Sequence, residues 1–465
     1  MKTLFIALLI LPYNIAFCAI TTSLTLHVTD AKPGDTLFVS YTATALHLNY
    51  EEVLLTLDST LTATLPLNLS EPREITISLD AAEFLIYMEP GDILEARLNA
   101  KTPLTGAVFS GSAASAAVLY VNFQHRFGTF IEQAVQNVTT CMQLDPKAYL
   151  QAQDEIQKAQ LAYLEKRRAM VSETTCRQLY DRITYTALMN KLRYPVLRCF
   201  QSRVSYAELY SRLDSLRYFA FADRYQPPKA LPALSDPVCL ALWELNRLYY
   251  QQQRGGNEFT AIDELQCVEQ HFTGETGEFM MAYTLTMQFA TGMFSSMDTA
   301  FAFVCKRLKN KNYIAILTEQ YQALRALQPG NPAPVPELTL FNGKAFRLDS
   351  LRGKTVLMEF WHSGCAPCLE GFAPANELFD RLPENVVMVY VCADTDSAQG
   401  RKTVRKFQVE GIHVHAPGFR HPALQAYRIQ SFPTWVLIAP DGTIINANAP
   451  RPGNKKLEVM LLNPE

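Results

Sequence analysis

Two cysteines separated by two residues, Cys365 and Cys368, lie in the stretch Trp361-His362-Ser363-Gly364-Cys365-Ala366-Pro367-Cys368. They follow the apolar run Thr355-Val356-Leu357-Met358-Glu359-Phe360, a pattern that predicts a strand handing a dithiol to a helix N-terminus. Unpaired backbone N–H groups and the helix dipole at such a terminus favour a thiolate at the first cysteine. The chemistry this permits is thiol–disulfide exchange. Cys365, at the helix start, attacks a partner disulfide, and Cys368, one turn in, resolves the mixed disulfide. Pro367 removes one competing N–H and shapes the first turn. A lone Cys-x-x-Cys can also be half of a zinc site, but no second pair lies nearby.

The setting of this dithiol follows from the rest of the chain. At 465 residues the chain is too long for one ordinary core, and 48% apolar with 19% charged residues is a globular composition. A net charge of −3 leaves no basic footprint, which argues against nucleic acid as a partner. Lys2, the apolar run Leu4 to Leu11 and Ala16-Phe17-Cys18-Ala19 read as a signal peptide over residues 1–18. The run is shorter than the ~20 residues a membrane span needs. Cys18 could instead carry a lipid, although Phe17 is bulky where that processing wants a small residue. No later segment is apolar enough to span a bilayer. The expectation is a periplasmic or cell-envelope protein, in a compartment where disulfides form. The six cysteines Cys141, Cys176, Cys199, Cys239, Cys267 and Cys305 show no metal-type spacing; they either pair in part or are buried thiols.

Residues 19–111 read as an all-β domain of sandwich type. Ser23 to Val28 alternates polar and apolar, and Thr36–Val39, Val53–Leu57, Glu74–Leu79 and Ile93–Leu98 continue the pattern between turns at Pro33-Gly34-Asp35 and Glu89-Pro90-Gly91-Asp92. Residues 112–328 read as an α-helical domain. Asp145 is an expected N-cap with Pro146 at the first helical position, and Tyr149, Ala152, Ile156, Ala159 and Tyr163 would form one buried face. Ile314, Leu317, Tyr321 and Leu324 repeat the device. Pro195, Pro227-Pro228, Pro232 and Pro237 are expected to divide the region into several helices. Residues 329–336, rich in proline, read as a stiff linker holding the last module apart. Residues 337–465 read as an α/β module, with strands at Val356–Phe360, Val386–Val391, Ile412–His415 and Thr434–Ile438. A hairpin turning at Asn342-Gly343, a second at Asp441-Gly442 and a closing helix over Lys455–Leu462 complete it.

Three motifs stand in register in this module: Glu359-Phe360-Trp361 leading into Cys365-Ala366-Pro367-Cys368, the loop Phe432-Pro433-Thr434, and the turn Asp441-Gly442. With them, about Pro334 to Leu462 resembles the thioredoxin fold, and within it the exported TlpA/ResA-like thiol–disulfide oxidoreductases. The resemblance implies a cis peptide at Pro433 beside the dithiol, which leaves the Phe432 backbone free to pair with a substrate strand. It implies that Phe432, Thr434 and Trp361 shape the substrate side. It also implies that Glu359 is a buried acid exchanging protons with Cys368; a solvated strand-end glutamate is the plainer alternative. Gly364 replaces a second tryptophan and Ala366-Pro367 replaces Gly-Pro, so the surface and the potential should differ from those of thioredoxin. His362 could bring positive charge to the thiolate or be a loop residue in solvent. His413, His415 and His421 could be read as a metal cluster, but no cysteine or carboxylate partner is evident. Cys392 reads as a buried thiol.

The function expected is an exported oxidoreductase that reduces disulfides of other exported proteins, with no bound cofactor and no metal. No flavin or nicotinamide motif is present, so a separate membrane electron donor is required to re-reduce the dithiol. The alternative is a binding or scaffold protein whose β and helical domains hold a partner while the dithiol is vestigial or structural. Peroxidase activity is a third possibility.

Overall fold

The structure, a computed structural model, describes residues 22–42, 46, 50–79, 82–202, 204, 206–254, 260–290, 296–418 and 420–462. The expected signal peptide over residues 1–18, Cys18 included, lies outside the described residues. Contacts divide the chain into two compact units, residues 1–257 with 271–276, and residues 258–270 with 277–465.

The first unit opens with strands β1 (Thr22–Thr29), β2 (Thr36–Thr42), β3 (Tyr50–Thr56), β4 (Thr62–Leu67), β5 (Arg73–Leu79), β6 (Ala82–Met88), β7 (Ile93–Asn99) and β8 (Val108–Gly111). They form two four-stranded sheets, ordered β4-β1-β7-β8 and β3-β2-β5-β6. The alternation read from sequence is the cause: Leu24, Leu26 and Val28 of one sheet share a core with Leu37, Val39, Ile75 and Ile77 of the other. Three strands lay outside the expected pattern. β4 contains Pro66, and β8 is only four residues long. In β6, Phe84, Ile86 and Met88 enter the sandwich core while Tyr87 packs with Tyr120 and Phe123 of the helix that follows. Burial on both faces erases the period-2 signal.

Helices α1 (Ala114–Phe127), α2 (Phe130–Gln143), α3 (Pro146–Glu165), α4 (Glu173–Ser202), α5 (Tyr206–Ser215) and α6 (Asp236–Arg254) follow. Asp145 caps α3 as expected, its side chain accepting from the N–H groups of Lys147 and Ala148. The buried face of α3 differs from the expected one. It comprises Tyr149, Gln153, Gln160 and Leu164, whereas Ile156 is 44% exposed. Amide pairing explains the shift: Gln160 donates to Gln133, Gln153 to Asn137, and Asn190 to Gln153. A carboxamide with a partner can be buried at little cost, so hydrophobicity alone chose the wrong stripe. Pro195 does not end a helix either; it sits inside α4.

Helices α7 (Ala261–His271), α8 (Gly274–Ala290), α9 (Met297–Cys305) and α10 (Lys311–Arg325) complete the helical stretch. The α/β module comprises β9 (Glu337–Leu340), β10 (Ala345–Arg347), β11 (Thr355–Trp361), α11 (Ala366–Phe379), β12 (Val386–Cys392), α12 (Ser397–Phe407), β13 (Ile412–His415), α13 (Pro422–Ala426), β14 (Thr434–Ile438), β15 (Ile444–Asn446) and α14 (Lys455–Leu462). Its seven strands are ordered β10-β9-β13-β12-β11-β14-β15. β11 lies between β12, which is parallel to it, and β14, which is antiparallel, and all of its residues are buried. Both of its faces are therefore covered, as its largely apolar sequence requires.

The proline-rich segment 329–336 is not a free spacer. Gly330 N–H donates to Ile444 O, Ala333 N–H to Gly442 O and Ile444 N–H to Asn331 O, which ties the segment to the β14–β15 hairpin. Tyr427 Oη–H donates to Pro334 O at 2.7 Å, and Leu327, just before the segment, belongs to the same core as Val356 and Phe360. Prolines lack an N–H but keep their carbonyls, so such a chain can still accept hydrogen bonds along a sheet edge.

The sandwich makes one position exacting. Gly111 closes β8 with φ +99°, and a Cβ there would lie 2.2 Å from Ile93 O. Gly111→Ala should therefore destabilise the protein by about 1–3 kcal/mol, read as a lowered thermal midpoint.

Candidate active site

Residues 361–368 leave β11 at its C-terminal end and enter α11, and the site is built there. Cys365 is the N-cap of α11, with Pro367 in its first turn. The sulfur of Cys365 accepts a hydrogen bond from the backbone N–H of Cys368 at 3.1 Å. Cys365 and Cys368 form a disulfide, with Cα atoms 5.3 Å apart. Cys368 is fully buried and Cys365 only 6% exposed, so Cys365 is the sulfur a partner can reach. Among the described residues no other cysteine is in a disulfide; the six from Cys141 to Cys305 and Cys392 are all thiols.

The turn before the dithiol is held from the next strand. Asp394, two residues beyond β12, accepts from Ser363 N–H at 2.9 Å and from Ser363 Oγ–H at 3.0 Å. Its other carboxylate oxygen accepts from Cys392 Sγ at 3.4 Å. Asp394 was not singled out in the sequence, though its place at the C-terminal end of a parallel strand, where such sheets carry their sites, was a usable signal. His362 Nδ1 accepts from Gly364 N–H at 3.1 Å, so the ring braces the loop. Cys392 is buried, with its thiol pushed up by desolvation, and is no rival nucleophile.

The distant loop comes to the same place. The Phe432–Pro433 peptide is cis, as the resemblance implied. Phe432 packs edge-on against His362, ring centroids 5.0 Å apart, which sets the proline loop beside the dithiol turn. Thr434 begins β14 opposite Phe360, and its hydroxyl donates to Ser431 O at 2.8 Å. Trp361 does not share the substrate side. It is fully buried and stands edge-on to Phe372 of α11 at 5.1 Å, so it supports the helix that carries the cysteines. Its sequence position, ending a strand buried on both faces, is the physical reason.

Glu359 is fully buried, and neither carboxylate oxygen has a hydrogen-bond partner among the described residues. The solvated strand-end alternative therefore falls. Side chains on a strand alternate, and Leu357 and Trp361, on either side of Glu359, belong to the core that contains Cys368 and Phe372. Glu359 thus faces the helix side, flanked across the sheet by Tyr390 and Trp435. Burial pushes its carboxyl well above the usual range; the charge of Arg451 opposes this and is the smaller effect. A neutral carboxyl in that place can give a proton to a leaving thiolate and take it back.

His413, His415 and His421 do not converge on a metal. The Nε2–H of His413 donates to Val409 O at 2.9 Å and that of His415 to Asp394 O at 2.6 Å, which occupies both rings with backbone carbonyls. Among the described residues no cluster of three His, Cys, Asp or Glu could hold a metal ion.

Two outcomes follow from this geometry. Asp394→Ala should cost about 1–3 kcal/mol of stability in the oxidised protein, measured by denaturant unfolding, because Ser363 N–H loses its acceptor. The raised folded-state pKa of Glu359 means that the folded chain keeps a proton that the unfolded chain releases near pH ~4.3. Stability should accordingly fall as pH rises above about 4.3 towards that raised value. Glu359→Gln should remove this fall, so its thermal midpoint relative to wild type should climb with pH from that point.

A family profile described as Thioredoxin-like matches residues 353–444. The chain is similar to thiol-disulfide oxidoreductase ResA of Bacillus cereus, 28% identical over 120 residues, covering 26% of this chain and 68% of the relative. It is similar to ResA of Bacillus subtilis (strain 168), 29% identical over 124 residues, covering 26% and 66% respectively. Among solved structures, the thioredoxin domain of a thiol-disulfide oxidoreductase from Bacteroides vulgatus matches with 22% identity and a TM-score of 0.26, covering 28% of this chain and 93% of that one. All of these matches fall on the module that carries Cys365, Cys368 and the cis-proline loop. That module is a thioredoxin-like domain of the thiol–disulfide oxidoreductase class.

Proposed function

We propose that the protein is exported and reduces disulfides in other exported proteins, taking electrons from a separate membrane donor. The observation that carries this reading is the pairing of a helix-terminal N–H on the Cys365 sulfur with a buried carboxyl at Glu359 that burial keeps protonated. In the reduced protein the Cys365 thiolate attacks one sulfur of a client disulfide, and the other client sulfur leaves as a thiolate and takes up a proton. The Cys368 thiol, losing its proton to water, then attacks the Cys365 sulfur of the mixed disulfide; the neutral Glu359 carboxyl can give a proton to Cys368 when the donor reduces the protein again. The second client sulfur leaves and is protonated in turn. Two electrons pass to the client, whose two sulfurs take up two protons, one released by Cys368 and one from water, and the Cys365–Cys368 disulfide forms. A dithiol on the membrane donor reverses the change at the protein. Pro433 and Phe432, beside the dithiol turn, offer backbone to an extended client segment. The β-sandwich and helical regions position or select the client.

Cys365→Ser should abolish reduction of insulin disulfides by the purified chain, and Cys368→Ser should accumulate a client mixed disulfide visible by mass spectrometry. The measured potential should lie nearer about −270 mV than about −120 mV. Insulin reduction that survives the loss of Cys365 would sink the proposal.

A further inference from the structure

Within the second unit a cavity of about 310 Å³ opens beside Pro433 and Thr434. Its walls come from three places: the cis-proline loop, the chain that follows β15, and the helical stretch, which supplies Phe289 and Leu324. Nothing in the sequence of the thioredoxin-like module alone would place that helical wall. The charged side chains that line it are Arg428 and Arg451, and no Asp or Glu lines it among the described residues. Neither arginine forms a salt bridge among the described residues; the charge of Glu319 reaches Arg428, and that of Arg451, which is exposed, reaches Glu359. Arg428 is only partly exposed, and burial works against its charge. A guanidinium removed from water without a paired carboxylate costs free energy, which an incoming carboxylate would recover with two parallel hydrogen bonds.

The position relative to the chemistry gives the cavity its meaning. A client backbone lying along Phe432–Thr434 would send alternate side chains to opposite sides, and Pro433 and Thr434 of that loop line the cavity. Phe289 and Leu324 suit the methylenes of a side chain, and the arginines suit its end.

We propose that this cavity selects clients by receiving an acidic side chain, Asp or Glu, carried a few residues from the disulfide that Cys365 attacks. The inference rests on the reading of the protein as a reductant of client disulfides. It assigns Arg428 and Arg451 as specificity residues of that site and gives the helical stretch a part in choosing the substrate.

The full chain, reduced with dithiothreitol and then freed of it, can be mixed with three synthetic peptides that share one disulfide and differ in a flanking Glu, Gln or Lys. The second-order rate constant for transfer is read for each and divided by the rate of dithiothreitol on the same peptide, which removes intrinsic reactivity. The Glu peptide should lead the Gln peptide by about tenfold at low salt, with the Lys peptide slowest. The ratio should shrink as salt rises. Arg428→Gln and Arg451→Gln should each bring the Glu/Gln ratio towards one, and Arg428→Glu should make the Lys peptide the fastest. Either arginine variant suffices for the ratio if the other does not fold. Equal normalised rates for the three peptides on the wild-type chain, or a Glu preference that survives both neutral variants, overturn the inference while leaving disulfide reduction intact. Failure to reduce even the Gln peptide defeats the functional reading itself.

Discussion

The hydrogen bond from the Cys368 backbone N–H to the Cys365 sulfur is the contact on which the site turns. It exists because Cys365 occupies the N-cap of α11, where the first N–H groups have no carbonyl within the helix to accept them. In the oxidised protein the donor meets a disulfide sulfur; after reduction the same donor faces a thiolate, which it stabilises more strongly because the acceptor is charged. For that to work the helix must start at this residue and nowhere else. β11, buried along its whole length, fixes where the chain emerges, and Asp394 holds the turn between strand and helix. Phe432 against His362 sets the proline loop beside that turn.

On the helix side of β11 the protein tolerates a buried carboxyl that finds no hydrogen-bond partner among the described residues, at a position where an apolar side chain would carry no polar group to satisfy. The surrounding wall of Tyr390, Trp435 and Trp361 keeps water away and so keeps the proton on Glu359. Unpaired buried polar groups are rare in native proteins and usually mark a use. Here the use fits a reaction whose every step makes or removes a thiolate.

Much of the module was legible along the chain. Strands β11 and β12 are apolar runs of the right length, Pro367 sits where a first turn accepts it, and Asp441-Gly442 makes the hairpin turn. The sandwich strands with clean alternation were legible for the same reason. Elements that break a simple period were not. β6 is covered on both faces, α3 buries glutamines that pair with other amides, and Pro195 is carried inside a long helix. In the first two cases a partner from elsewhere in the fold changes what a residue can bury, and no window of sequence contains that partner.

By itself the sequence determined the chemistry: a dithiol at a strand-to-helix junction, an acid six residues ahead of it and a proline loop, because helix ends, strand periods and turns are local properties. Tertiary structure alone decided the setting. It buried Glu359 and Trp361, recruited Asp394 to the dithiol turn, and tied the proline-rich segment to the sheet edge. It also set Arg428, Arg451 and the helical residues Phe289 and Leu324 around one cavity beside Pro433. Desolvation and charge proximity depend on which distant residues meet, and only the folded chain makes them meet.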